Sequence, residues 1–288
     1  MKLMRYGAKG AEKPALVDAR GTVRDLSGII ADITAETMRP ENLRRLAEVD
    51  ASKLPAVASP GRIAPPWRGC AKFICIGLNY SDHAAETGAP IPKEPIIFMK
   101  PTSALVGCND AVVLPQGSVK GDWEVELGVV IGATARYVDK ADALKHVAGY
   151  CVVNDVSERE YQLERGGTWD KGKGCDTFGP VGPWIVTADE IADPQALAMW
   201  LDVNGQRRQH GSTATMIFGV AELVAYCSRF MTLYPGDLIT TGTPPGVGMG
   251  MKPTPVFLKP GDEMRLGIEG LGEQRQKVYA WDPKLIDA

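Results

Sequence analysis

Three acidic residues in two apolar segments could form a metal site. In the segment 121–132, GDWEVELGVVIG, Asp122, Glu124 and Glu126 occupy alternate positions of an otherwise apolar run. Alternate residues of a β-strand share one face, so the two glutamates bring two carboxylates together. A third acid, Asp155, ends the apolar run GYCVVND and would join them if that run is a neighbouring strand. Ligation by oxygen alone favours Mg²⁺, Mn²⁺ or Ca²⁺ over zinc.

The same alternation of acids has a second interpretation. An edge strand with an exposed acidic face produces it too, and for a bare Glu-x-Glu this interpretation is the commoner one. Like charges on one face of a buried strand are costly unless a cation lies among them. The pattern by itself therefore leaves a metal site and an acidic edge strand both open.

A histidine and a glutamate in the segment GLNYSDHAAETG could form a general base. His83 and Glu86 are three residues apart and share one face of a helical turn. A carboxylate against an imidazole gives a base whose pKa can lie near neutrality. The chain has three histidines, and only His83 combines such a neighbour with a loop context rich in glycine and asparagine. A surface His–Glu pair explains the spacing equally well.

Two glycine-rich segments could approach a ligand closely. Lys171 and Lys173 are flanked by glycines in WDKGKGCDTFG, where a mobile basic loop is the simpler interpretation. The segment TTGTPPGVGMG follows a predicted strand and could present backbone N–H groups to an anion. Its glycine spacing is not a dinucleotide fingerprint, and it has no Walker lysine. The absence of a Gly-x-Ser-x-Gly elbow argues against a serine hydrolase.

Short apolar runs separated by turn residues must position these groups. The chain has 288 residues, 44% of them hydrophobic, which is enough for a substantial core. From Lys72 onward the runs predict a mainly β domain (α+β) with mixed sheets and few helices, the longest in GVAELVAYCSRFMTLYPG. The shorter segment KADALKHVAG is also predicted to be helical. Residues 1–66 predict a small β-rich N-terminal domain with a proline-rich linker, and residues 67–288 the catalytic domain.

Composition excludes several classes of function. The formal charge is −3 and no lysine/arginine block is present, which argues against nucleic acid as a partner. No apolar run approaches the roughly 18 residues of a membrane span, and the first residues lack a secretory signal. A cytoplasmic location is therefore predicted. The six cysteines show no Cys-x-x-Cys pair and are interpreted as small buried residues rather than zinc ligands or disulfides.

Taken together, the motifs resemble the fumarylacetoacetate hydrolase family. Six segments carry the resemblance, in the family's order: IGLNYSDHAAETG, PIIFMKPTSALVG, GDWEVELGVVIG, VVNDVSERE, KGKGCDTFGPVGP and PGDLITTGTPPGVG. With the sequence between and after them they cover about residues 70–283. The resemblance implies a mixed β-sandwich roll, a homodimer or homotetramer, and a bound Mg²⁺ or Mn²⁺.

The resemblance also assigns roles to single residues. It implies that the metal ligands are Glu124, Glu126 and Asp155. It implies that the catalytic residues are His83, Glu86 and Lys173. The residues that it places against the substrate are Arg159, Gln162, Gly242 and Thr243. Asp122 has no counterpart in the family's metal triad, so we expect it at the end of the strand and not on the metal.

The segments 169–191 and 199–220 look like a subgroup that hydrolyses 2,4-diketo-3-deoxy sugar acids. The implied substrate is a small 2,4-diketo acid such as 2,4-diketo-3-deoxy-L-rhamnonate or its L-fuconate analogue. Hydrolysis of its C3–C4 bond would give pyruvate and a hydroxy acid such as lactate. Alternatives on the same site are a ureidoglycolate lyase, a fumarylpyruvate hydrolase, an oxaloacetate decarboxylase and a hydroxymuconate-type isomerase. A catalytically silent protein that binds a metal or a keto acid is the alternative of a different class.

Overall fold

A computed structural model describes residues 1–88 and 90–286. The strands are β1 Lys2–Tyr6, β2 Lys13–Val17, β3 Val23–Asp25, β4 Ile63–Ala64, β5 Phe73–Gly77, β6 Ile96–Lys100, β7 Leu105–Gly107, β8 Val112–Val113, β9 Gly121–Asp122, β10 Val125–Ile131, β11 Val147–Asn154, β12 Ser157–Glu158, β13 Gly179–Thr187, β14 Ala198–Val203, β15 Gln206–Ser212, β16 Leu238–Thr240, β17 Glu263–Ile268 and β18 Gly272–Tyr279. The helices are α1 Pro40–Ala47, α2 Ser81–Thr87, α3 Arg159–Leu163, α4 Asp170–Lys173, α5 Val220–Phe230 and α6 Pro283–Ile286.

β10 lies in the interior of the largest sheet. Its main path runs β3-β2-β1-β13-β11-β10-β16-β5-β6, with β4 and β7 as side branches on β1 and β13. β10 pairs antiparallel with both β11 and β16, whereas β16 and β5 run parallel. The strand that carries Glu126 is thus a buried central strand. The interpretation of the Glu-x-Glu pattern as an exposed acidic edge is wrong, because β16 covers the edge that this interpretation requires.

A second sheet packs against the first and closes the core. It has five strands in the order β15-β14-β17-β18-β8. Val125, Leu127 and Val129 of β10 belong to the same buried cluster as Met199 and Leu201 of β14. Side chains that alternate along β10 therefore point into the space between two sheets, as in a sandwich. The mainly β fold with two packed layers and a few helices is confirmed.

The N-terminal segment covers the other face of the large sheet. β1 pairs antiparallel with β13, so residues 1–66 extend the same sheet as the rest of the chain. Leu3, Leu26 and Met38 pack in one buried cluster with Val130 and Val153 of the central strands. The predicted division of the chain at residues 66 and 67 stays a prediction.

The helical predictions have different outcomes. α5 lies within the segment predicted to hold the longest helix. In KADALKHVAG the structure has only a single 3₁₀ turn, Ala143–His146, and β11 begins at Val147. That helix prediction is wrong because the pairing of Val147 with Ile131 draws the segment into the sheet. None of the helices in the described part of the chain has the length and apolar character that a bilayer span requires.

Candidate active site

Two paired strands bring the three predicted metal ligands together. Glu124 immediately precedes β10 and Asp155 immediately follows β11, and the Asp155 N–H donates to the Glu124 carbonyl at 2.9 Å. Glu126 lies two residues along β10 from Glu124. Carboxylate oxygens of the three side chains lie within 4.8 Å of one another, and all three residues are buried. The cluster predicted from two separate apolar runs is thus present.

Two cationic side chains are bound to Glu124. The Lys173 Nζ lies 2.6 Å from Glu124 Oε2 and 2.8 Å from Asp155 Oδ2. The Arg159 Nη2 donates to Glu124 Oε1 at 2.7 Å. Burial acts to raise the pKa of Glu124, but the charges of Lys173 and Arg159 outweigh it and lower the pKa to about 2. The interpretation of this lysine segment as a mobile loop is wrong at Lys173, which ends α4 and is only 2% exposed.

In the part of the chain that the structure describes, Glu126 forms no ion pair with a cationic side chain. Among the described residues it accepts one hydrogen bond, from the Gly242 N–H at 3.0 Å. Burial raises its pKa well above the ordinary value, and the charges of Asp155 and Glu124 raise it further. A buried carboxylate between two others is stable as an anion only if a cation joins the group. Glu126 is therefore the residue that most clearly requires a bound cation.

The charges of the network lead to the same conclusion. It consists of four carboxylates and three cationic side chains: Asp122, Glu124, Glu126, Asp155, Lys100, Arg159 and Lys173. With all seven groups ionised, it carries one excess negative charge. All ligand atoms that the triad offers are hard oxygens, the donors that Mg²⁺ and Mn²⁺ prefer. The residues present therefore fit a divalent cation.

The buried Lys100 orients Asp155. Its Nζ lies 2.6 Å from Asp155 Oδ1, but its three N–H bonds are taken by the carbonyls of Val156, Lys173 and Phe178. Oδ1 consequently accepts no hydrogen bond from the described residues. An anionic oxygen left in this state can ligate a cation. Sequence reasoning missed Lys100, although a lysine that ends the apolar run PIIFMK was the signal available.

Replacing Lys100 by methionine should destabilise the fold. Lys100→Met removes the charge beside Asp155 and leaves three carbonyls without their donor, so we expect the free energy of unfolding to fall by about 3–5 kcal/mol. Urea unfolding of the EDTA-treated protein measures it. Lys171→Met is the matched control, since Lys171 is exposed and should change stability by less than about 0.5 kcal/mol. Equal, small effects of the two substitutions would contradict the structural role of Lys100.

Asp122 lies outside the triad and binds other groups. It accepts from the Arg159 Nε at 2.8 Å and from the backbone N–H groups of Gly248 and Met249 at 2.7 and 3.0 Å. It is fully buried. The expectation that Asp122 is not a metal ligand agrees with these contacts. Its carboxylate fixes the guanidinium of Arg159 and the loop that follows β16.

The predicted histidine–glutamate pair is formed on α2. The His83 Nδ1 lies 3.2 Å from Glu86 Oε2, and the Gly246 N–H contacts both oxygens of Glu86 at 3.2 Å. His83 is buried and lines the same cavity as Glu124 and Glu126. The imidazole and the side chains of Glu124 and Glu126 therefore face one space of about 210 Å³.

All four residues predicted to contact substrate line this cavity. Each of them already forms a hydrogen bond within the protein. The Thr243 hydroxyl donates to the Val125 carbonyl at 2.9 Å and accepts from the Gln209 amide at 2.8 Å. The Arg159 Nη1 donates to Gln162 Oε1 at 2.9 Å. Their contact with a substrate stays a prediction.

The comparisons with known proteins identify the family. Residues 72–279 match the family described as "Fumarylacetoacetate (FAA) hydrolase C-terminal". The chain belongs to the fumarylacetoacetate hydrolase family. A Burkholderia cenocepacia protein that is provisionally named a hydrolase is 61% identical over 278 residues, 96% of this chain and 99% of that protein.

Solved structures of the fumarylacetoacetate hydrolase family have the same fold. A fumarylacetoacetate hydrolase from Exiguobacterium antarcticum is 35% identical with a TM-score of 0.86, covering 98% of this chain and 100% of that one. A maleylpyruvate hydrolase from Sphingobium is 31% identical with a TM-score of 0.81, at the same coverage, and was solved with manganese(II) and pyruvate. The chain is thus a member of a hydrolase and isomerase family with acylpyruvate-cleaving neighbours.

Proposed function

We propose that the protein is a divalent-metal-dependent hydrolase that cleaves the C3–C4 bond of a 2,4-diketo acid to release pyruvate. The observation that carries this proposal is the juxtaposition of the His83–Glu86 pair with a buried acidic triad whose network of ion pairs has one excess negative charge. A neighbour of the same fold that binds manganese(II) and pyruvate supports it. The substrate that we propose is 2,4-diketo-3-deoxy-L-rhamnonate or the L-fuconate analogue, with lactate as the second product.

Glu124, Glu126 and Asp155 would hold the Mg²⁺ or Mn²⁺ ion. When bound, such an ion stabilises negative charge on oxygen as a Lewis acid. The homodimer or homotetramer implied by the family resemblance and the cytoplasmic location predicted from composition stay predictions alongside this one.

The protein's own residues would perform the proton transfers. Glu86, paired with His83 at 3.2 Å, accepts a proton from a water molecule in the cavity. The water oxygen forms a bond to C4, the C3–C4 bond breaks, and its electron pair moves onto C3 and the C2 oxygen as the enolate of pyruvate. A proton added at C3 then completes the pyruvate molecule. The ammonium of Lys173 lies beside the triad and stabilises the enolate charge as it develops.

The substrate would be oriented by four further groups that line the cavity: Arg159, Gln162, Gly242 and Thr243. Asp122 holds the Arg159 guanidinium in place through its Nε, and the Gln209 amide holds the Thr243 hydroxyl. Groups fixed in this way can position a ligand without losing further conformational freedom.

A substrate panel tests the proposed function. The Mg²⁺-loaded protein is incubated with 2,4-diketo-3-deoxy-L-rhamnonate, its L-fuconate analogue, fumarylpyruvate, oxaloacetate and ureidoglycolate, and pyruvate, lactate and urea are assayed. We expect equal amounts of pyruvate and lactate from the first two substrates, and no product with the Asp155→Ala variant. Pyruvate from fumarylpyruvate alone or from oxaloacetate alone, or urea from ureidoglycolate, would replace the proposal with that reaction. Binding of a 2-oxo acid without any turnover would indicate a silent binding protein.

A further inference from the structure

Six apolar side chains line the cavity beside its polar groups. They are Ile76, Leu78, Phe98, Leu163, Trp169 and Met249. They come from β5 and the residue after it, from β6, from the end of α3, and from two loops. A wall of this kind binds hydrocarbon well and leaves a buried charge without a partner.

Both cations that line the cavity are already paired with acids. Arg159 is bound to Asp122 and Glu124, and Lys173 is bound to Glu124 and Asp155. Moving either of them to a ligand carboxylate would leave a buried acid unpaired, which is strongly unfavourable. Within the described chain, therefore, no uncommitted cation faces the cavity.

Two other cations near the cavity are held outside it. The Arg165 Nε donates to Glu160 Oε1 at 3.0 Å. The Lys171 Nζ donates to the Arg165 carbonyl at 2.6 Å. Neither side chain lines the cavity. They add no further charge to the cavity wall beside Leu163 and Trp169.

The charge of the network limits the ligand in the same way. The network carries one excess negative charge, so a bound divalent cation gives it one excess positive charge. A ligand with one carboxylate neutralises that charge. A ligand with two carboxylates would leave a net negative charge inside an apolar wall.

Trp169 also limits the size of the ligand. Its ring occupies the space where a Cβ at Gly77 would lie, and it packs edge-on against Phe98 with the ring centroids 5.4 Å apart. The indole is thus held from two sides. The cavity of about 210 Å³ is smaller than the roughly 300–1,000 Å³ of pockets that accept drug-sized ligands.

We propose that this site selects 2-oxo acids with a single carboxylate and a short uncharged tail, and that Leu163 and Trp169 determine that selection. The inference rests on the proposed function and narrows its substrate class. 2,4-Diketo-3-deoxy-L-rhamnonate and its L-fuconate analogue carry such a tail, a hydroxyethyl group on C4. Dicarboxylic acylpyruvates do not.

A matched pair of uncleavable ligands tests charge selection. 2-Oxohexanoate and 2-oxoadipate have the same number of carbons and differ at the far end, where one has a methyl group and the other a carboxylate. Titration calorimetry with the Mg²⁺-loaded protein should show at least about tenfold tighter binding of 2-oxohexanoate. Equal affinities, or tighter binding of 2-oxoadipate, would overturn the inference and leave the proposed function standing. If neither ligand binds, the proposed function is overturned as well.

Two substitutions test the residues. Leu163 is 48% exposed, so an arginine there can reach the cavity without a cost of burial, and Leu163→Arg should tighten 2-oxoadipate binding about tenfold or more. Val119→Arg is the matched control, because Val119 is 65% exposed and lies outside the cavity lining. Trp169→Ala should shift the preference toward 2-oxo acids with longer alkyl chains by a similar factor. Unchanged ligand preferences in both Leu163→Arg and Trp169→Ala would contradict the assignment of these residues.

Discussion

Excess EDTA should abolish pyruvate release, and Mg²⁺ or Mn²⁺ should restore it. The triad has three buried carboxylates within 4.8 Å, and none of the described cationic side chains forms an ion pair with Glu126. Without a divalent ion, the enolate that forms on C–C cleavage loses its main source of charge stabilisation. We expect a loss of roughly a thousandfold or more, which corresponds to about 4 kcal/mol of transition-state stabilisation. Initial rates of pyruvate formation before and after metal addition measure it.

Substitutions at the acids distinguish a ligand from a neighbour. Asp155→Ala should remove Mn²⁺ binding in a calorimetric titration. Asp122→Asn is the matched control. Asp122 belongs to the same series of alternate acids as Glu124 and Glu126, but it contacts Arg159 and two backbone N–H groups. The Asp122→Asn variant should retain the ion. Full activity in EDTA, or loss of the ion from both variants alike, would rule out the proposed metal site.

His83→Ala should slow turnover without removing the metal. His83 lies in the cavity with its Nδ1 3.2 Å from Glu86, so its loss deprives the base of its partner. General-base catalysis contributes about 10²- to 10⁴-fold, and kcat should fall by that factor. The metal affinity should stay at the wild-type value, since the imidazole is not among the triad's ligands. Steady-state kinetics at saturating metal and calorimetry of Mn²⁺ binding measure the two quantities separately.

A second histidine supplies the control for this prediction. His210 is exposed on β15 and lies outside the cavity lining, so His210→Ala should leave kcat unchanged. A kcat near the wild-type value in His83→Ala would remove the histidine–glutamate pair from the mechanism. A parallel loss of metal would instead show that His83 acts on the site's structure.

The acidic cluster was predictable because its parts are local. Alternation fixes Glu124 and Glu126 on one face, and the apolar run that ends at Asp155 is the strand that pairs next to them. The choice between a metal site and an acidic edge was not local. It depends on β16, more than a hundred residues further along the chain, which pairs with the other edge of β10. Periodicity within one segment contains no information on that pairing.

The buried lysines were harder to predict for a different reason. Lys173 lies in a glycine-rich polar segment that is typical of an exposed loop, and charges distant in the sequence, those of Glu124 and Asp155, stabilise its burial. Lys100 ends an ordinary strand, and its partners are carbonyls from three other places in the chain. Long-range electrostatic contacts of this kind leave almost no trace in local composition.

The backbone around Gly246 links the two halves of the catalytic apparatus. Gly246 has a φ of 103°, and a Cβ there would collide with the Arg208 carbonyl, so this position requires glycine. Its N–H donates to Glu86 of the histidine–glutamate pair. Two residues later, the N–H of Gly248 donates to Asp122, which holds Arg159. One short stretch of chain thus fixes both the proposed proton acceptor and the guanidinium beside the triad. The two are energetically coupled, so substitutions at Glu86 and Asp122 should have non-additive effects.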